Sequence, residues 1–408
     1  MLAKKITRTK EINKILAARQ SGRVVLLTGL FGSGRSTLLE EVAHLLRDER
    51  PPVRIVRVNC STFARDGEIP SGKDLMQEAH ALGAGPSVLF LDEADLIGDI
   101  ASAISKILEK FQTMIFVTGR HTADLERTLT GAFGKIPTGP LAIIRVGPIS
   151  YGDFLEAWGL PESRDSFALY ARSGGLPQSL MIDPRSPDAG DFTLLRANSF
   201  LLSEIIEPDA IRNPGHLREL LALCSRSCGE SLPARQACAA FAARRMTISP
   251  QAVIDYLALC EASGLLVSVE TVDLTNERRI DGANVWYFGD VGLRAAFSGR
   301  DSGADRARAE ENLAYLKLVD DGWTVRHGRV GYGKHLRDDV TFACDRDGRR
   351  AYVQVIGGNA TAAEHMRKTE ALLAIRDAWP KYLVGDEAPD AMDGVTRLSP
   401  REFLTLGL

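Results

Sequence analysis

The stretch TGLFGSGRST at residues 28–37 constrains this chain more than any other feature. It follows the apolar run VVLL and precedes LLEEVAHLL, in which apolar residues recur at helical spacing. This pattern predicts a buried strand, a glycine-rich turn and a helix in direct succession. Glycines let the turn curl until its N–H groups point at phosphate oxygens, and the positive end of the helix adds to the attraction. The stretch therefore predicts a phosphate-binding loop.

We assign the nucleotide contacts to this loop and to the first turn of the helix. They are Gly29, Gly32, Ser33, Gly34, Arg35, Ser36 and Thr37. The ligands that fit are ATP and Mg²⁺, and the Ser36 hydroxyl is a candidate ligand for the metal. The alternative is a glycine-rich connection in an ordinary α/β fold, which the spacing and the strand context together disfavour.

A second motif, SVLFLDEADL, is an apolar strand over residues 87–91 that ends in Asp92 and Glu93. We expect Asp92 to hold Mg²⁺ and Glu93 to activate an attacking water. Solvated acids at a strand end would be the better reading if the motif stood alone. A third apolar strand, TMIFVTG, ends in Thr118, a candidate sensor of the γ-phosphate that depends on the other two motifs.

Arg35 occupies the position at which a phosphate-binding loop usually carries lysine. Arginine is planar and wider than the compact lysine ammonium, so its charge is displaced. A shift of about 1 Å weakens ground-state attraction little but can cost on the order of a hundredfold in rate. Hydrolysis is therefore more exposed to the change than binding, although a general preference for arginine in this chain is an alternative explanation.

Composition bounds the rest of the prediction. A chain of 408 residues with 45% hydrophobic content can form two or three domains. The net charge of −3 gives no overall basic field for nucleic acid or membrane. The apolar runs are too short to span a bilayer, and the start MLAKKITRTKE lacks the core of a secretory signal. We expect a soluble cytoplasmic protein.

The six cysteines do not follow a common zinc spacing. Cys224 and Cys228 lie four residues apart in an apolar helical pattern, which is typical of small buried side chains. A zinc site built from these two with Cys238 and Cys260 is the disfavoured alternative.

Beyond the third strand, the sequences GPLAIIRVGPISYGDFLEAWG and YARSGGLP make the chain resemble bacterial and archaeal AAA-type P-loop ATP-binding proteins with a C-terminal domain of unknown function. Residues 148–151 match the end of a family strand, and Gly174, Gly175 and Pro177 match a turn that closes the ATPase core. The arginine of the family's Gly–Arg pair falls on Pro140. The resemblance therefore implies the loss of a second catalytic cation.

The resemblance implies three α/β and helical domains: an AAA-type core with a parallel sheet over residues 1–180, a winged helix over 194–297 and a restriction-endonuclease-like domain over 303–395. The motif VWYFGDVGLRAAF, with Asp290, Gly292, Leu293 and Arg294, is similar to the family pattern that ends the winged helix. Ser249 and Pro250 predict the start of its recognition helix. That helix contains acids and no lysine or arginine, so it suits DNA poorly.

In the nuclease-like domain only part of a magnesium site is present. Glu311 matches the acid of the first helix, with a plain surface charge as the alternative, and Thr341 replaces the acid of the strand. Gln354 and Ile356 replace the acid and the lysine of the next strand. The resemblance thus implies a nuclease fold without nuclease chemistry.

The sequence predicts an ATP- and Mg²⁺-binding protein that hydrolyses ATP slowly or not at all and passes its nucleotide state to C-terminal interaction domains. The alternative is a DNA- or protein-binding regulator with a relic ATPase core. An ATP-driven nuclease is disfavoured. The partner and the oligomeric state stay open.

Overall fold

A computed structural model describes residues 3–4, 6–20, 22–48, 53–63, 69–134, 141–208, 211–299, 303–331, 338–358, 360–386, 394–406 and 408. The chain divides into two compact units. The first is Thr7–Gly147, and the second is Met1–Ile6 with Pro148–Leu408.

The first unit is a five-stranded parallel sheet with helices on both faces. The strand order is β2-β3-β4-β1-β5. The strands are β1 (Val24–Thr28), β2 (Arg54–Asn59), β3 (Ser87–Asp92), β4 (Thr113–Val117) and β5 (Leu141–Arg145). The helices are α1 (Thr9–Ala18), α2 (Arg35–Arg47), α3 (Gly72–Ala79), α4 (Ile100–Lys110) and α5 (Thr122–Phe133).

The central strands are apolar throughout because helices cover both faces of the sheet. Alternate residues point to opposite faces. Leu26 and Leu89 therefore belong to the core that contains α3, α4 and α5, whereas Leu27 and Phe90 belong to the core that contains α1 and α2. The Phe90 ring also stacks on Phe116 at 4.9 Å between centroids. The three strands predicted from apolar runs are confirmed.

The second unit begins with helices. They are α6 (Tyr151–Trp158), α7 (Arg164–Ser173), α8 (Ala189–Leu201), α9 (Pro214–Arg226), α10 (Ala234–Ala243) and α11 (Pro250–Ala262), and one π-helical turn, Leu202–Ile206, follows α8. The predicted strand end at residues 148–151 is wrong, because β5 ends at Arg145 and the Ser150 hydroxyl accepts the Asp153 N–H to cap α6. Residues 148–151 instead contact the turn that was predicted around Gly175, because the N–H of Ile149 donates to Gly175 O at 2.6 Å.

A small antiparallel pair follows these helices. Strands β6 (Leu266–Val269) and β9 (Val285–Phe288) pair, and Ser231, between α9 and α10, bridges to Val285. As predicted, Ser249 caps α11 by accepting the N–H of Ala252, with Pro250 at the first helical position. Helix α12 (Val291–Ser298) then begins.

A seven-stranded sheet occupies the rest of the second unit, in the order β14-β13-β12-β11-β10-β7-β8. Its strands are β7 (Thr271–Asp273), β8 (Arg278–Arg279), β10 (Thr324–Val330), β11 (Asp338–Arg346), β12 (Arg349–Val355), β13 (Lys381–Val384) and β14 (Val395–Leu398). Its helices are α13 (Gly303–Asp320), α14 (Ala362–Leu373) and α15 (Pro400–Thr405). The predicted order of helix, hairpin and helix is confirmed, whereas the extension by β7 and β8 was not predicted.

Two of the predicted motif residues, Asp290 and Arg294, hold the helices of the second unit together. Asp290 is fully buried and accepts the N–H groups of Gly175 at 2.8 Å and Leu293 at 2.9 Å. Burial raises the pKa of this carboxyl, and the neighbouring Arg196 opposes the rise. Arg294 is 1% exposed and pairs with Asp305 through two hydrogen bonds of 2.9 and 3.0 Å. These residues fix α12 against α7 and α13.

The cysteines behave as packed apolar residues where the pattern predicted it. Cys224 and Cys228 are buried, and burial raises the pKa of both thiols to about 12. Cys228 donates from Sγ to Asn312 Oδ1.

In the described part of the chain, every helix is too short or too polar to cross a bilayer.

We expect Asp290→Ala to destabilise the second unit by about 3–5 kcal/mol, because buried N–H groups lose their acceptor and Arg196 loses its counter-charge. All four tryptophans lie in this unit, so urea denaturation followed by tryptophan fluorescence reports it selectively. Asp281→Ala is the control, since that side chain is 99% exposed and its removal should cost less than about 0.5 kcal/mol. Equal losses in the two variants would contradict the role given to Asp290.

Candidate nucleotide-binding site

The predicted loop joins β1 to α2 with glycines in conformations that other residues avoid. Gly29, Gly32 and Gly34 have φ values of 135°, 80° and 90°. Gly34 is the N-cap of α2, so the loop runs directly into the positive end of the helix. Backbone N–H groups gathered in this way form an anion-binding concavity.

Gly29 is also fixed by a close approach of the backbone. A Cβ atom at this position would lie 2.2 Å from Val146 O, just past the end of β5. The Thr122 side chain lies nearby, with its Oγ1 atom 3.4 Å from the Gly29 nitrogen. Only glycine fits here, because both the space and the backbone angle exclude a side chain.

Ser36 and Asp92, the predicted metal ligands, lie together although 56 positions separate them. The Ser36 hydroxyl donates to Asp92 Oδ1 at 3.2 Å. They meet because β1 and β3 are parallel strands of one sheet. The glycine loop that follows β1 and the carboxylate of Asp92 at the end of β3 therefore lie at the same edge of the sheet. Ser36 is exposed, and an oxygen pair of this kind suits Mg²⁺.

Glu93 has a left-handed backbone, with φ 52° and ψ 41°. Such a conformation costs a non-glycine residue roughly 1–3 kcal/mol and is common at functional sites. Its N–H donates to Asp92 Oδ1 at 3.1 Å, so the turn that aims Glu93 also orients Asp92.

Thr118 lies beside this turn. It is 1% exposed, its N–H donates to Leu91 O at 2.9 Å, and its carbonyl accepts the N–H of Ala94 at 2.9 Å. The backbone of Thr118 thus holds the end of β4 against the acidic turn.

The remaining loop residues differ in exposure. Arg35 is the first residue of α2 and is 6% exposed, so its side chain is buried and does not extend into solvent. Ser33 is fully buried, and its Oγ has no hydrogen-bond partner among the described residues. An orphaned hydroxyl in a phosphate cradle fits a site shaped for a further polar ligand. Thr37 is exposed.

Arg8 is a loop-positioning residue that the sequence did not reveal. Its guanidinium donates to Ser33 O at 2.7 Å and to Gly147 O at 2.9 Å, and Glu11 lies 3.6 Å away. Arg8 thereby ties the loop to the chain leaving β5. The basic composition of the N-terminal segment was the only signal, and it does not distinguish this residue from its neighbours.

Asp95 organises the loop after β4 in a similar way. Its two carboxylate oxygens accept the N–H groups of Arg120 at 2.9 Å and His121 at 3.0 Å. The Arg120 guanidinium lies 5.4 Å from the centre of the Phe31 ring, which belongs to the phosphate loop. Pro140, the position predicted to have lost a family arginine, lies outside the described residues.

The predicted remnants of a nuclease site serve other purposes in the fold. The Gln354 amide accepts the N–H of Thr341 at 3.0 Å and donates to Asp339 O at 3.2 Å. The Thr341 hydroxyl accepts the N–H of Val355 at 3.1 Å. These side chains replace the backbone ladder where the pairing of β11 and β12 ends, at Phe342 and Val353.

Glu311 is not a plain surface charge. It is half-buried and accepts the Tyr287 hydroxyl at 2.7 Å, on the side of α13 that meets β9. Ile356 is buried in a small apolar cluster with Leu383.

The parallel sheet and the glycine loop of the first unit have the arrangement of a P-loop core. The family model for an AAA domain (AAA_14) matches residues 21–155, and one for a domain of unknown function (DUF8612) matches residues 164–304. The first unit is thus an AAA-family ATPase-like domain, as the sequence predicted. No curated protein matches the chain.

Among solved structures, a Walker-type ATPase of Pyrococcus abyssi superimposes with a TM-score of 0.50 and 14% identity, covering 72% of this chain and 96% of that one. A DNA replication initiation factor reaches 0.27 and 15%, covering 52% and 66%. A DNA polymerase III gamma subunit-related protein of Thermotoga maritima reaches 0.27 and 12%, covering 77% and 86%. The last two overlap too loosely to define a common fold.

We expect Gly29→Ala to weaken nucleotide binding. Its Cβ meets Val146 O and its backbone is strained by about 1–3 kcal/mol, which corresponds to a loss of roughly five- to a hundredfold in affinity if binding must restore the loop conformation. Titration with a fluorescent ATP analogue measures the change. Gly131→Ala is the matched control, because nothing lies within 4 Å of a Cβ on this residue of α5. That variant should bind normally and gain up to about 1 kcal/mol of helix stability.

Proposed function

We propose that the chain binds ATP with Mg²⁺ in the first unit, hydrolyses it weakly and passes its nucleotide state to interaction domains in the second unit. The observation that carries the proposal is the 3.2 Å contact between Ser36 and Asp92 at the mouth of the glycine loop. It joins two motifs that are distant in sequence into one oxygen-rich site beside a helix N-terminus.

Each residue of this site has a role that its position supports. The N–H groups from Gly29 to Thr37 bind phosphate oxygens, and Ser36 and Asp92 would hold Mg²⁺. Bound Mg²⁺ neutralises charge that develops on the phosphates. Glu93 accepts a proton from the attacking water, and Thr118 contributes a hydroxyl at the edge where the γ-phosphate is expected.

Arg35 explains why we propose weak hydrolysis. It places a positive charge in the first turn of α2, directly after the glycine loop, so it can still attract phosphate in the ground state. A planar fork cannot occupy the position of a lysine ammonium, and transition-state contacts tolerate displacement poorly. The lost family arginine at Pro140 would lower the rate further.

For the second unit we propose a winged helix over residues 194–297 and a nuclease-like domain without nuclease chemistry over 303–395, after an AAA-type domain over 1–180. Three helices, the β6–β9 pair and the Ser231 bridge support the winged helix. The α11 surface favours a protein partner over DNA: Ile254 is 51% exposed and Asp255 accepts from Gln251. Nearby Arg244 is paired with Glu219, which leaves it less available to a phosphate.

Steady-state ATP turnover tests the first part of the proposal. We expect slow turnover by the native protein, a rise of up to about a hundredfold in Arg35→Lys because a compact charge returns to the loop, and none in Glu93→Gln. Glu93→Gln should still bind ATP. Glu109→Gln, an exposed glutamate on α4, is the control and should match the native rate.

Rapid turnover by the native protein, unchanged in Arg35→Lys, would contradict the role given to Arg35. Normal Mg²⁺-dependent ATP affinity in Ser36→Ala would contradict the site itself.

Incubation with plasmid and linear DNA tests the second part. We expect no cleavage in the presence of Mg²⁺, because Thr341 and Gln354 stand at the positions predicted for the metal-binding acids and bond to backbone groups instead. Gln354→Glu should lower the midpoint of thermal unfolding without creating activity, since a carboxylate would face Asp339 O where the amide now donates. Gln236→Glu, at an exposed site of α10, is the control. Salt-sensitive DNA binding that ignores nucleotide would favour the alternative, a DNA-binding regulator with a relic core.

A further inference from the structure

A pocket of about 340 Å³ lies in the second unit at the carboxyl ends of three adjacent strands. Strands β12, β13 and β14 run parallel, side by side. Gly358, Asp386 and Pro400 follow them and line the pocket, and α7 and α13 complete its walls. The carboxyl ends of parallel strands are the common place for ligand crevices in α/β folds.

Glu310, on α13, is the buried polar group of this pocket. It is 8% exposed, and its Oε2 atom has no hydrogen-bond partner among the described residues. Burial, followed by the charge of Asp386, raises the pKa of this carboxyl to about 7, although the N–H of Gly358 opposes the rise. A buried carboxylate oxygen without a donor is costly, so the position favours a ligand that supplies one.

The other charged groups of the pocket are arranged at its rim. Asp386 Oδ2 lies 3.2 Å from Arg164 Nε, and its Oδ1 lies 3.6 Å from Arg401. Arg306 lies one helical turn before Glu310 on α13. With Asp165, the lining holds three guanidinium groups and three carboxyl groups. The pocket therefore has no net charge when all six are ionised, but it contains both positive and negative groups.

We propose that this pocket binds a small zwitterion that carries a protonated amine and a carboxylate or phosphate group. The amine donates to the free oxygen of Glu310, and the anionic group lies among the guanidinium groups of the rim, which bind planar carboxylates or phosphates well. Three arginines disfavour a bare divalent cation at the same place. The proposal concerns a site separate from the nucleotide loop and does not depend on ATP binding.

Isothermal titration of the full-length protein at pH 8 tests the pocket. The probes are the twenty α-amino acids and phosphoethanolamine, which distinguish a carboxylate from a phosphate source. We expect saturable binding of at least one probe. Methylamine, acetate and inorganic phosphate, which each carry one half of the ligand, should bind about tenfold or more weakly.

Glu310→Gln should weaken binding of that zwitterion about tenfold or more, because the charge-assisted hydrogen bond is lost. Glu370→Gln, an exposed glutamate on α14, should bind as the native protein does. The absence of binding by every zwitterion would overturn the proposal, as would equal affinity in Glu310→Gln. Binding of Mg²⁺ alone that disappears in Glu310→Gln would replace the zwitterion with a cation and also overturn it.

The pH dependence of unfolding in the protein without ligand gives a second test of Glu310. The same unfolding curves show whether the Glu310→Gln variant folds. Burial raises the pKa of the folded Glu310 carboxyl to about 7, whereas a glutamate in the unfolded chain has its ordinary pKa of 4.5. The second unit should therefore lose stability as the pH rises from 4.5 through 7, and Glu310→Gln should lack that loss. The unfolding midpoint by tryptophan fluorescence at pH 5 and pH 8 checks this, and identical pH profiles in the two proteins would contradict the buried, unpartnered state of Glu310.

Discussion

The parallel arrangement of β1, β4 and β3 is the constraint on which the candidate site depends. Parallel strands place all their carboxyl ends at one edge of the sheet, so the glycine loop, Thr118 and the acidic turn meet there without being close in sequence. The Ser36–Asp92 contact exists because this edge is shared. The burial of both sheet faces keeps the strands in register, and the loop conformation in turn relies on Val146 and Arg8.

The motifs on this edge could be predicted from sequence because each combines an apolar run with residues of special chemistry. A buried strand must be apolar, a phosphate loop needs glycine, and a metal needs oxygen ligands, so these three requirements leave a local pattern. The strands, the helix α2 and the cap of α11 by Ser249 followed from such patterns. Residues 148–151 were predicted wrongly. The resemblance suggested the end of a strand, whereas Ser150 caps helix α6 there.

Long-range contacts account for most of what the sequence could not reveal. Arg8 contacts a carbonyl 25 residues away and another 139 residues away, and an arginine in a basic segment carries no sign of either. The sequence predicted that Gln354 and Thr341 replace nuclease residues, but their hydrogen bonds with the backbone could be found only from the register of β11 and β12. Glu310 and Glu311 are adjacent glutamates that the sequence does not distinguish. Only the fold shows that the Glu310 carboxyl is buried and that the Glu311 carboxyl accepts the Tyr287 hydroxyl.

The hairpin formed by β7 and β8 has a consequence for how this chain could have evolved. These strands lie in sequence between β6 and β9, yet they extend the sheet built from β10 to β14, with Thr271 to Asp273 paired to residues 327–329. The segment that carries β6 and β9 therefore also supplies two strands to the sheet of the segment that follows it. Gene fusion or exchange that transferred one segment alone would leave an open sheet edge, so the two are expected to be inherited as one block.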